Sequence, residues 1–99
     1  MMPAAEVAAG AKYNKKRYSM IHAAKPIVLR WLQVGKKEGA THMLLVEDAL
    51  ADETMPVYVA PNEDLSRKIS RFENAHSMRV KAIFDLLADL QKQLDTVYP

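Results

Sequence analysis

Between residues 26 and 38 apolar positions recur at the spacing of one helical face. Ile27, Val28, Trp31, Leu32 and Gly35 fall together, while Arg30, Gln33 and Lys37 turn away. Pro26 suits the first helical position, because its missing N–H would have no intrahelical partner there. Lys36 and Lys37 complement the negative end of the helix dipole, and Gly39 can take the left-handed conformation that stops the helix. The pattern then changes. Residues 41–47 have a hydrophobic centre too short for a helix, which predicts a strand covered on both faces. Residues 55–60 are β-branched and aromatic, and Pro56, which cannot donate a ladder hydrogen bond, points to an edge strand. The connection 48–54 is an acidic hairpin loop carrying Asp48, Asp52 and Glu53.

After Pro61, Asn62 reads as an N-cap with Glu63 and Asp64 in the first turn of a helix over residues 63–72, which would bury Leu65, Ile69 and Phe72. Residues 73–76 break it, and Ser77 reads as the cap of a last helix over residues 78–97. There Val80, Ile83, Leu87, Leu90, Leu94 and Val97 follow one another in steps of three and four, the strongest periodicity in the chain. The expected fold is therefore α+β: a small β-hairpin packed by helices in the order helix-strand-strand-helix-helix, with room for an additional N-terminal helix. Residues 1–25 read as a basic N-terminal arm and residues 26–99 as one domain. A two-stranded sheet is marginal alone. Self-association as a homodimer is expected to cover it, through the seam of Leu87, Leu90, Leu94 and Val97 or the hairpin's free edges.

Composition narrows the class. Ninety-nine residues leave no room for two independent cores, and 49% hydrophobic with 26% charged residues is ordinary globular usage. The absence of cysteine excludes disulfides, a thiolate nucleophile and Cys-based metal sites, and it suits a reducing cytoplasm. No apolar run is long enough for a membrane span, and cations that follow the apolar start reverse the order of a secretory signal. The net charge of +2 is unevenly placed. Residues 1–50 hold eight cations and four acids, and between Val7 and Lys37 there is no acid at all, so this stretch attracts anions.

Gly39-Ala40-Thr41-His42-Met43-Leu44-Leu45-Val46 with Asp48, then Pro56-Val57-Tyr58-Val59 and Pro61, resembles a small family of uncharacterised proteins from phages and bacteria. The resemblance covers residues 26–86. Glu47 stands where that family's pattern has cysteine, and Ala49 and Leu50 replace a Thr-Phe pair. The basic arm lies outside the shared region. The resemblance implies a phage-encoded protein acting inside its host.

Candidate chemistry is sparse. His42 and Asp48 share a face parity along the first strand. They would serve as base and carboxylate partner in a small hydrolase only if the strand ends bent toward each other, and no nucleophile stands at a recognisable spacing. The plainer reading makes His42 a strand-end histidine and Asp48 a turn former. His22, His42 and His76 form no metal-ligand spacing, and Gly10, Gly35 and Gly39 are too dispersed for a phosphate loop, so neither metal nor cofactor is expected. Lys12, Tyr13, Lys15, Lys16, Arg17 and Tyr18 interleave cations with rings that would sit on phosphates and stack on bases, and Arg30, Lys36 and Lys37 extend that patch.

These features point to a non-catalytic binding or inhibitor protein. In its specific form it occupies a host defence protein or sequesters an anionic nucleotide signal, with Lys12 to Tyr18, Arg30, His42 and Asp48 as ligand contacts. The alternative is a nucleic-acid binder using the arm, and the least supported is the His42–Asp48 hydrolase.

Overall fold

The first helix begins where proline allows it to. The computed structural model describes residues 23–98. In it, α1 (Lys25–Lys37) carries Pro26 in its first turn, and the Ala24 carbonyl accepts the amides of Ile27 and Val28. Glu38 closes the helix and Gly39 follows at φ 85°, the left-handed region a glycine enters without a Cβ clash. Val28, Leu32 and Gly35 are buried as the periodicity predicts. Trp31 is only half-buried, and Ile27 sits at the solvent edge of the stripe.

β1 (His42–Asp48) and β2 (Glu53–Val59) form the expected antiparallel hairpin, in register from His42 opposite Val59 to Asp48 opposite Glu53. Met43, Leu44, Leu45 and Val46 are all buried, so β1 is covered on both faces. Pro56 does lie on an edge strand, because the sheet has three strands in the order β2-β1-β3.

The third strand corrects the sequence reading of the C-terminal third. Residues 78–97 are not one helix. They form β3 (Met78–Asp85), antiparallel to β1, then a turn, then a short α3 (Leu90–Val97). A β-bulge explains the misleading spacing. Val46 faces Val80 but Leu45 faces Ala82, so Lys81 is an extra residue in β3 and alternation is interrupted there. Val80 and Ile83 consequently pack on the same side of the sheet although they are three apart, while Ala82 and Phe84 face the other side. A strand with a bulge thus reproduces a helical step. Only Leu90, Leu94 and Val97 belong to a real helix, and Asp89 rather than Ser77 caps it, accepting the Lys92 amide at 3.1 Å.

The observed class is α+β, in the order helix-strand-strand-helix-strand-helix. α1 and α3 cover one face of the sheet, where Val28, Leu32, Leu94 and Val97 meet Met43, Leu45, Ala82 and Phe84. The other face holds Leu44, Val46, Val59 and Val80, packed by Leu65, Ile69 and Phe72 of α2 (Leu65–Glu73). That helix starts two residues later than the sequence suggests. Asp64, not Asn62, is its N-cap, accepting the Arg67 amide at 3.1 Å, while Glu63 stays outside the helix and accepts the Ala60 amide at 2.9 Å.

Side chains close the free edge of β3. Glu73 accepts the Val80 amide at 2.6 Å, and the Gln93 amide group both accepts from the Asp85 N–H at 2.8 Å and donates to its carbonyl at 2.9 Å. A strand so engaged offers few backbone groups to another chain. At the bulge the Lys81 side chain is 4% exposed, and its ammonium lies 3.2 Å from the Glu47 carboxylate.

Candidate functional site

His42 and Asp48 occupy opposite ends of β1, six residues apart, so about 20 Å of strand separates them and they share no site. Each is engaged locally. His42 Nδ1 lies 3.0 Å from Thr41 Oγ1, whose hydroxyl in turn donates to the Val59 carbonyl at 3.3 Å. Asp48 Oδ1 accepts the Leu50 amide at 3.0 Å, the Ala51 amide at 3.3 Å and the Ser77 hydroxyl at 3.2 Å. The Ala49 amide donates to the Ser77 carbonyl at 2.8 Å. Asp48 is therefore the centre of a clasp that ties the hairpin tip to the α2–β3 turn. Asp52 at φ 53° and Ser77 at φ 69° take up the tight backbone on either side. Glu47 faces Lys81, likewise far along the strand from His42. Among the described residues no three His, Asp or Glu side chains are grouped to hold a metal ion.

The cationic candidates divide. Lys12, Tyr13, Lys15, Lys16, Arg17 and Tyr18 lie outside the described residues, as does His22. Arg30 is exposed on α1 about two turns from Lys37, and Lys36 points to the other flank of the helix. Residues 23–98 carry ten Lys and Arg against eleven Asp and Glu, so the chain's positive excess belongs to its first 22 residues.

Sequence reasoning passed over a second basic group. Arg67 and Arg71 stand four apart on the solvent side of α2, and with Asn62 and Lys68 they line an open depression of about 280 Å³ whose remaining wall is Glu63 and Asp64. Arg67 and Arg71 are both exposed, and Arg71 lies near enough to Glu63 to help hold its carboxyl ionised. Lys68 is held, its ammonium 2.9 and 2.8 Å from the two Glu63 oxygens. The Ala60 N–H and then the Lys68 ammonium keep the Glu63 carboxyl below its ordinary range. Asp64 spans the Arg67 amide. The signal was present as two arginines opposite Leu65, Ile69 and Phe72, but it fell in the acid-rich half of the chain, where net charge hides it.

A smaller hollow of about 180 Å³ lies between the end of α1 and β2, lined by Gly35, Glu38, Tyr58 and Glu63 among others. The Tyr58 hydroxyl donates to the Trp31 carbonyl at 2.8 Å, and burial, then the nearby Glu38 carboxylate, push its ionisation above the usual tyrosine range.

The expected self-association seam is largely absorbed by the subunit itself. Leu94 and Val97 are buried in the core beneath α1, Leu90 packs at its margin, and only Leu87, 78% exposed in the turn before α3, faces water. No helix among the described residues is long and apolar enough to cross a membrane. Comparison with protein-family models, with curated protein sequences and with solved structures returned no match, so the functional reading rests on this chain's own geometry.

Proposed function

We propose that the protein is a non-catalytic binding protein for a phosphate-bearing anionic ligand, with the outer face of α2 as its contact surface. The observation that carries the reading is the pair Arg67 and Arg71, exposed one helical turn apart beside the Asn62 side chain in a shared depression. Guanidinium forks match phosphate oxygens bidentately, and two forks one turn apart suit two phosphates or one phosphate gripped from both sides. Glu63 does not oppose this strongly, because Lys68 already neutralises it. Asp64 lowers the local positive charge to a small excess, which favours a compact ligand over an extended polyanion. With His42 and Asp48 each engaged in local structure, the reading needs no base or nucleophile. In its most specific form the ligand is a nucleotide signal and its sequestration is the function.

The test is titration calorimetry of the full-length chain with inorganic phosphate, pyrophosphate, mononucleotides and cyclic dinucleotides, repeated on Arg67→Gln/Arg71→Gln. At least one nucleotide should bind, and loss of two charge-assisted contacts should weaken it by about 100-fold or more while the circular dichroism spectrum stays unchanged. If the panel yields no binding, or the double variant binds as well as the parent, the reading is wrong.

A further inference from the structure

An exposed strip on α1 and the tip of the hairpin are chemically complementary, and they cannot meet within one subunit. On α1, Ile27 and Val34 stand seven residues apart at 44% and 42% exposure, and Arg30 and Lys37 form a parallel row beside them. At 100° per residue these four side chains fall within one narrow sector, bordered on its inner side by half-buried Trp31. No acid occurs anywhere in α1.

The hairpin tip has the opposite character. Leu50 is 79% exposed at its apex, with Asp48, Asp52 and Glu53 around it. It is an ordered knob. The Asp48 carboxylate fixes the Leu50 and Ala51 amides, and the Ser77 hydroxyl and carbonyl fix Asp48 and Ala49 from the neighbouring turn. The conformation that holds Leu50 in water is thus set before any contact, which lowers the ordering cost of docking it. The same clasp prevents the tip from folding back over α1, which lies against the body of the sheet.

We infer that the hairpin tip of one copy of this chain docks on the α1 strip of a second copy, with Leu50 seated between Ile27 and Val34 and Glu53 facing Arg30 and Lys37. The occupant follows from charge: an apolar strip with the exposed cations Arg30 and Lys37 in a row along its side, Glu38 standing only at its C-terminal end, matches an apolar knob ringed by Asp48, Asp52 and Glu53. The two surfaces differ, so the contact is heterologous and propagates into chains or closes into rings according to its rotation. A few side chains bury little area, so the association is weak, transient and weakened by salt. This inference is independent of ligand binding at α2.

Sedimentation velocity of the full chain at low salt, from micromolar to millimolar concentration, reads the association, and the fluorescence of Trp31, the sole tryptophan, reports on the strip itself. Leu50→Ser/Glu53→Lys removes the knob, and Arg30→Glu/Lys37→Glu removes the strip. All four positions are exposed, so both variants should fold, and each alone should lose association by roughly tenfold or more. The decisive measurement is their mixture. A knob-defective chain keeps an intact strip and a strip-defective chain keeps an intact knob, so a one-to-one mixture should form two-subunit species that neither variant forms alone. A parent protein that stays monomeric throughout, variants that associate as the parent does, or a mixture no more associated than its components would each overturn the inference.

Discussion

Gly35 holds α1 against β2, and replacing it with alanine is the sharpest test of how the helix is seated. A Cβ placed there would lie 2.5 and 2.7 Å from Tyr58 Cε1 and Cδ1 and 2.9 Å from Leu86 Cδ1, all far inside contact distance. The Tyr58 ring has little freedom to retreat, because its hydroxyl is bonded to the Trp31 carbonyl one helical turn earlier. Forcing a methyl into a packed site costs about 1–3 kcal/mol, and losing the Tyr58 hydrogen bond adds about 1 kcal/mol. Alanine recovers about 1 kcal/mol of helix propensity over glycine. The net is about 2 kcal/mol of destabilisation, which for a domain of this size lowers the melting temperature by roughly 8–16 °C. Thermal unfolding followed by circular dichroism reads this directly. The same substitution in a Tyr58→Ala background should be less harmful, because the clash with the ring has gone and only the flexible end of Leu86 remains to give way, and the difference between the two backgrounds measures the Tyr58 contact. Gly39 is the control: its Cβ would meet nothing within 4 Å, so Gly39→Ala should lose only about 1 kcal/mol from the φ of 85°, with or without Tyr58. A Gly35→Ala variant as stable as the parent, or equally destabilised in both backgrounds, would refute the packing argument.

Three further outcomes follow from the same packing. Lys81→Ala should destabilise the chain by about 3 kcal/mol in urea unfolding, because it removes a buried cation 3.2 Å from the little-exposed Glu47 carboxylate at the bulge; a loss within error of zero would mean that the pair is solvated. Leu94→Ala should cost about 2–5 kcal/mol while Leu87→Ser changes stability by less than about 0.5 kcal/mol, whereas a shared intersubunit seam would make both costly. The tyrosines predict alkaline behaviour. Burial raises the ionisation of Tyr58 and Tyr98 above 10.0, so the folded state retains protons that the unfolded chain has lost, and this contribution, complete below pH 10, should disappear as pH rises through the folded values. Tyr58→Phe should flatten that part of the stability-versus-pH curve, and a curve of unchanged slope would remove Tyr58 as its cause. At the acid end Glu63 and Asp95 lie below their ordinary 4.5 and 3.8, so the stability they lend is present above those values and declines as pH falls through the lower, folded ones.

Where local chemistry decides, the sequence alone was sufficient. Pro26 and Gly39 bound α1, since a fixed φ and a missing Cβ act whatever the neighbours are. The short apolar centre of β1 required cover on both faces, and Pro56 required an edge, since a residue without an N–H cannot serve the middle of a sheet. Non-local pairing decided the rest. Val80 and Ile83 are spaced like helix neighbours only because the bulge at Lys81 inserts a residue, and a bulge is defined by the strand opposite, β1, more than thirty residues earlier. Once β3 pairs there, α3 shrinks to eight residues and Leu94 and Val97 go into the subunit's own core, so the surfaces left for partners change with it. The same holds for candidate chemistry. The shared parity of His42 and Asp48 was readable along the chain, but that the sheet stays extended between them, and that Ser77 arrives to clasp Asp48, follows from how α2 returns the chain to β1. Pattern fixes what a residue can do beside its neighbours in sequence, and tertiary contacts, which set burial and strand register, select among those options.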